Sequence, residues 1–144
     1  MFTAAFNQGA RAYARVGVET GVAAADPHRL VEMLFDGALA KIAIAREAIF
    51  ARDTARRGEA VSQAITIISQ GLRASLDHEV GGSIAAQLDA LYDYMTVRLV
   101  QGGANNHAAN LDEVAGLLGE LRAAWTAIRP AGVSTATQRI PAEV

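Results

Sequence analysis

The stretch LDEVAGLLGELRAAWTAI, residues 111–128, sets Leu111, Val114, Leu118, Leu121, Trp125 and Ile128 three or four positions apart. That spacing puts all six on one face of a helix, and Pro130 ends the run. Working back along the chain, the same pattern recurs three times. Ile84, Leu88, Leu91, Met95 and Leu99 share a face after Ser83, which predicts a helix stopped by Gly102-Gly103. Val61, Ala64, Ile65, Ile68, Leu72 and Leu76 follow Thr54, a residue suited to capping, and Gly81-Gly82 closes that segment. Asp26-Pro27 reads as an N-cap with proline at the first helical position, opening a pattern that runs to about Phe50. Segments of similar length joined by short breaks fold back as antiparallel neighbours. The predicted fold is therefore all-α, an antiparallel up-down four-helix bundle over residues 26–128. Residues 1–25 form a weaker N-terminal segment with a short helix around Ala10 to Val16. Residues 129–144 carry Pro, Gly, Ser and Thr but little to bury, and read as a flexible, disordered tail.

Composition agrees with this class and narrows the function. The chain has 144 residues, one domain's worth, of which 51% are hydrophobic and only 6% aromatic. Its net charge of -2 conceals a near balance of arginine and carboxylate with no block of like charge, which argues against nucleic acid as a partner. There is no cysteine, hence no disulfide and no thiolate metal ligand. Met1 to Asn7 lacks the basic start and long apolar core of a signal peptide, and no later apolar run spans a bilayer, so a cytoplasmic location is expected.

The helices hold more apolar residues than one stripe accommodates. At about 100° per residue, Leu30, Val31, Leu34, Phe35, Ala38, Ile42, Ala45 and Ile49 fill one sector of the first helix. Met33, Gly37, Ala40 and Ile44 form a second, narrower stripe on its flank. In the third helix Ala86, Ala90, Tyr94 and Val97 lie away from the Leu88-Leu91-Met95-Leu99 face, and Ile67 is a similar outlier on the second. A core-facing helix needs one apolar stripe a little over 100° wide. The surplus either borders a wide core or makes a shallow groove that receives an amphipathic partner helix.

Enzyme chemistry finds no constellation. Glu32/Asp36 and Asp89/Asp93 are carboxylates four apart on two helices, but they fall opposite the core stripes and no Glu-x-x-His accompanies them. They read as solvated faces or arginine partners. His28, His78 and His107 have no ligand spacing and read as exposed. Gly81-Gly82-Ser83 lacks the preceding strand and following lysine of a phosphate cradle, and no nucleophile elbow is present. The expectation is a non-enzyme with no cofactor, metal or small-molecule substrate.

Several segments also carry a family resemblance. His28-Arg29-Leu30-Val31-Glu32-Met33-Leu34-Phe35-Asp36-Gly37-Ala38 stands behind a proline-bearing cap. Gly58-Glu59-Ala60, Gly81-Gly82, Leu91-Tyr92-Asp93-Tyr94-Met95, Glu113-Val114 with Leu117-Leu118, and Ala124-Trp125 follow in order. In order and spacing these resemble the FliS family of flagellin export chaperones, over roughly Arg11 to Ile128. The resemblance implies a cytoplasmic helical bundle that binds the disordered C-terminal segment of flagellin, prevents its premature polymerisation and presents it to the flagellar type III export gate. It gives the surplus stripes a purpose, with Met33, Ala40, Ile44, Ile67, Ala86, Ala90, Tyr94 and Val97 as the flagellin groove. Tyr13 matches the family's N-terminal tyrosine, associated with the N-terminal segment and docking at the gate. On this reading Phe2 to Val16, with Phe2, Phe6 and Tyr13, folds over an empty groove. Two positions depart from the family pattern: Gly102-Gly103 stands in place of an Ala-Asn pair, so the third helix is expected to stop early, and Phe35 stands where tyrosine is usual. The competing reading is a structural bundle without cargo that self-associates as a homodimer through the same stripes.

Overall fold

A computed structural model of the chain describes residues 26–128. The short helix expected near Ala10, the groove cover and gate contact assigned to Phe2, Phe6 and Tyr13, and the tail 129–144 all lie outside the described residues.

Four helices run up and down. They are α1 (Pro27–Ala51), α2 (Thr54–Thr66), α3 (His78–Asn105) and α4 (Ala108–Ala127). The chain leaves α2 through a π-helical stretch, Ile67–Leu72, and a 3-10 turn, Arg73–Ser75, before reversing into α3. α1 packs on α2 and α4, while α3 packs on α4 and more lightly on α2. Apolar side chains from all four helices meet along the axis. Phe35 and Ile42 of α1, Val61 and Ile68 of the α2 segment, Met95 and Leu99 of α3, and Leu111 and Leu118 of α4 belong to one buried cluster. Fully enclosed Ala38, Ala45 and Ala64 let α1 and α2 approach closely.

Carboxylates start three of the helices. Asp26 Oδ1 accepts the Arg29 amide at 2.8 Å, and Asp77 Oδ1 accepts those of Glu79 and Val80 at 3.1 Å. α2 is capped by Asp53, which accepts the Arg56 amide at 3.1 Å, and not by Thr54, which is already helical. Arg52 and Asn106 take left-handed backbone, φ 58° and 56°, to end α1 and α3.

The glycine pairs differ in how they meet the sequence expectation: helical geometry does break at Gly82, but a helical turn from His78 precedes the break. α3 begins at His78 and passes through Gly81-Gly82 with a kink, Gly82 sitting at φ 54° and ψ -126°. Here a glycine at positive φ, open to it because it has no Cβ, breaks the helical geometry five residues after the cap. Gly102-Gly103 does not stop α3, which continues to Asn105. Both glycines are buried because α2 and α4 come close: a Cβ at Gly102 would lie 2.5 Å from Leu111 Cδ1 and 3.1 Å from the His107 carbonyl. The pair serves close packing.

Candidate partner-binding grooves

The helices leave an opening at the end of the bundle where α1 and α3 begin. Leu72 in the π-helical exit of α2 and Gly81 beside the kink at Gly82 both border it. The opening is an apolar groove of about 450 Å³. Val31 and Phe35 from α1, Leu72 and Leu76 from the end of the α2 segment, Leu88 and Tyr92 from α3, and Leu121 and Trp125 from α4 line it. At its mouth Val80, Ile84 and Ile128 are 57%, 66% and 64% exposed. Ile84, expected on the core face of α3, is instead a wall of this opening. The buried face of α3 is carried by Ala85, Tyr92, Met95 and Leu99.

Polar contacts tie the surrounding elements together. Arg73 Nε donates to Asp89 Oδ1 at 2.6 Å and ties the end of α2 to α3. Its guanidinium holds the Asp89 carboxyl below the ordinary carboxylate range. Arg122 Nε donates to Asp36 Oδ1 at 2.5 Å, joining α4 to α1. His28, expected at the surface, is buried and stacks on Trp125. Glu32 is buried as well, accepting from Arg29 at 3.1 Å and from the Thr126 hydroxyl at 2.8 Å. The carboxylate pairs are thus arginine-bound, as expected, except that Glu32 is enclosed and not solvated. Burial drives the Tyr92 phenol pKa upward. Among the described residues no three His, Asp or Glu side chains gather to hold a metal ion, and no helix is long and apolar enough to cross a membrane.

The sequence comparison decides the lineage. A family model described as Flagellar protein FliS matches residues 9–132. The chain belongs to the FliS family. It is 48% identical over 130 residues to the flagellar secretion chaperone FliS of Salmonella typhimurium, covering 90% of this chain and 94% of that relative. It is 42% identical over 116 residues to the flagellar secretion chaperone FliSB of Pseudomonas aeruginosa, covering 81% and 91%. Against FliS of Bacillus subtilis the figures are 36% over 107 residues, 74% and 78%. The four-helix bundle is the architecture the family resemblance led one to expect.

The side chains picked from the helical wheel fall into two further patches. On the α1–α2 flank Met33, Ile44 and Ile67 are half-buried and Ala40 is exposed. Ile67 lies over Gly37, whose Cβ position would be 3.4 Å from its Cδ1. Beside it a shallow hollow of about 300 Å³ is lined by Lys41, Ser62, Gln63, Thr66 and Ile67. On α3, Ala86, Ala90, Tyr94 and Val97 are exposed. The Tyr94 hydroxyl donates to Glu113 Oε2 at 2.6 Å on α4, which pushes the phenol pKa up and the Glu113 carboxyl down, the latter helped by Arg98 at 2.8 Å. None of these eight residues lines the larger groove, where Phe35, Leu72, Ile84, Leu88, Leu121 and Trp125 had been assigned to core stripes and Val80 and Tyr92 to none. A stripe that is core in the middle of a bundle becomes lining where the bundle opens. The available signal was Val80 and Ile84 flanking a glycine pair.

Proposed function

We propose that this chain is a flagellar secretion chaperone whose cargo is the C-terminal segment of flagellin. Family membership supports the chaperone role, and the relatives bear that name. The observation that carries the cargo reading is the apolar groove of about 450 Å³ with three large aliphatic side chains held in solvent at its mouth. The buried cluster does not use Val80, Ile84 or Ile128, whereas an amphipathic helix offers the matching apolar face. The cargo's first anchors enter there. The segment then extends along the outer patches, with Met33, Ala40, Ile44 and Ile67 on one flank and Ala86, Ala90, Tyr94 and Val97 on the other.

Energetics suit reversible capture. Burying about half a dozen apolar side chains yields about 10 to 15 kcal/mol gross. Ordering a disordered ligand returns about 2 to 5 kcal/mol, and association itself takes a further share. While the segment is held, flagellin cannot polymerise. Transfer to the export gate in the cytoplasm then depends on a competing partner and not on a chemical step.

The test is co-purification with full-length and tail-truncated flagellin, with titration of the C-terminal peptide followed by emission of Trp125, the single tryptophan, which lines the groove. Retention of full-length but not truncated flagellin, with a saturable change in emission, is expected. Equal retention of both, or a stable dimer in light scattering that ignores flagellin, refutes the reading.

A further inference from the structure

At the end of the bundle away from the apolar groove, the α1–α2 turn meets the end of α3 around a hollow of about 410 Å³. It is lined by Ile49, Arg52, Thr54, Arg57 and Asn106. Its charge is unusual for this chain. Arg29, Arg46, Arg56, Arg73, Arg98 and Arg122 each lie within ion-pair distance of a carboxylate. Arg52 and Arg57 have no such partner among the described residues, and both face the same hollow. Arg57 is also fixed. Its Nη1 donates to Asn106 Oδ1 at 2.7 Å, while its Nε is shielded from solvent with no acceptor among the described residues. Asn106 holds its place through left-handed backbone at φ 56°, as Arg52 does at φ 58°. Two helix ends therefore converge on one hollow lined by Thr54 and by two arginines that have no carboxylate partner among the described residues.

We propose that this hollow is a binding site for an oxyanion of the carboxylate or phosphate class. Guanidinium groups match the paired oxygens of such groups in geometry and charge. Thr54 adds a hydroxyl donor, and Ile49 gives an apolar wall for the stem of a carboxylate side chain. The anion comes either from an acidic residue of a bound polypeptide or from a small free anion such as phosphate. Only the first source rests on the cargo reading above.

The experiment uses the full chain and amide NMR. Inorganic phosphate and, separately, acetate are titrated against chloride at matched ionic strength. Saturable shifts at Arg52, Thr54, Arg57 and Asn106 are expected, weakening about tenfold in Arg57→Gln. Because Arg57 also bonds Asn106, Arg52→Asn provides a second variant: it removes a charge from an exposed position, and asparagine tolerates positive φ. Non-saturating shifts, shifts spread equally over Arg29 and Arg46, or undiminished binding in both variants overturn the proposal. The flagellin peptide then separates the sources. If it blocks phosphate, and a version with Asp and Glu changed to Asn and Gln does not, the cargo supplies the carboxylate; if phosphate binds equally well to the complex, the site takes a free anion. Failure of the peptide to bind at all counts against the cargo reading and leaves the phosphate result standing.

Discussion

The imidazole of His28 stacks on the indole of Trp125 with ring centroids 4.5 Å apart and an interplanar angle of 11°. The indole Nε1 donates to the His28 carbonyl at 2.9 Å. The one indole thus grips the start of α1 through both the ring and the carbonyl of His28, and Trp125 also lines the groove. Trp125→Phe keeps an aromatic ring but removes the donor, and should cost about 1 kcal/mol in urea denaturation followed by circular dichroism.

Glycine substitutions should have opposite signs at two helical positions. Gly102→Ala places a methyl against Leu111, Asn110 and the unyielding His107 carbonyl, and should destabilise by about 1 to 3 kcal/mol. Gly116 is exposed with nothing within 4 Å of its Cβ position, so Gly116→Ala should gain about 1 kcal/mol from helix propensity. Thermal melts of the two variants check the contrast.

Ile84→Glu at the groove mouth should leave stability within about 0.5 kcal/mol of the parent, because Ile84 is 66% exposed. A carboxylate left facing an apolar cargo should weaken flagellin peptide binding about tenfold or more. Val97→Glu and Ile44→Glu address the flanks in the same assay. Equal affinity in any of the three would mark its patch as ordinary surface.

Acid should weaken the join between α2 and α3. The Arg73 hydrogen bond lowers the Asp89 pKa in the folded state below its ordinary value of 3.8. A depressed folded pKa means that the carboxylate contributes stability above the unfolded value, and that this is lost as pH falls from about 4 downward. Asp89→Asn should therefore show a flatter loss of melting temperature below pH 4 than the parent. An unchanged acid limb would show that solvent screens the pair.

Helix content and antiparallel order were readable from the spacing of Leu111 to Ile128 and its three counterparts, because a period of 3.6 depends only on which side faces the core. The N-cap at Asp26 was readable for the same local reason. The helix-breaking reading of Gly102-Gly103 failed because propensity is local, while the reason for those glycines is the closeness of Leu111 and Val61 across the bundle. His28 and Glu32 were placed outside because polarity alone does not reveal that Trp125 and Thr126, almost a hundred residues away in sequence, cover them. The main groove was missed for a related reason. Whether Ile84 and Leu88 face a neighbour or a gap depends on where the helices diverge, and nothing in the period records that.

The π-helical stretch Ile67–Leu72 and the kink at Gly82 lie at the same end, so the departures from α-helical bonding inside the helical segments gather there. Amide exchange should accordingly be uneven, fast around Leu72 and Val80 and slow around Leu99 and Leu111, since segments with weaker ladders open without global unfolding. If exchange follows that pattern, a segment held as proposed would come loose at that end first and leave by peeling while the rest of the bundle stays closed.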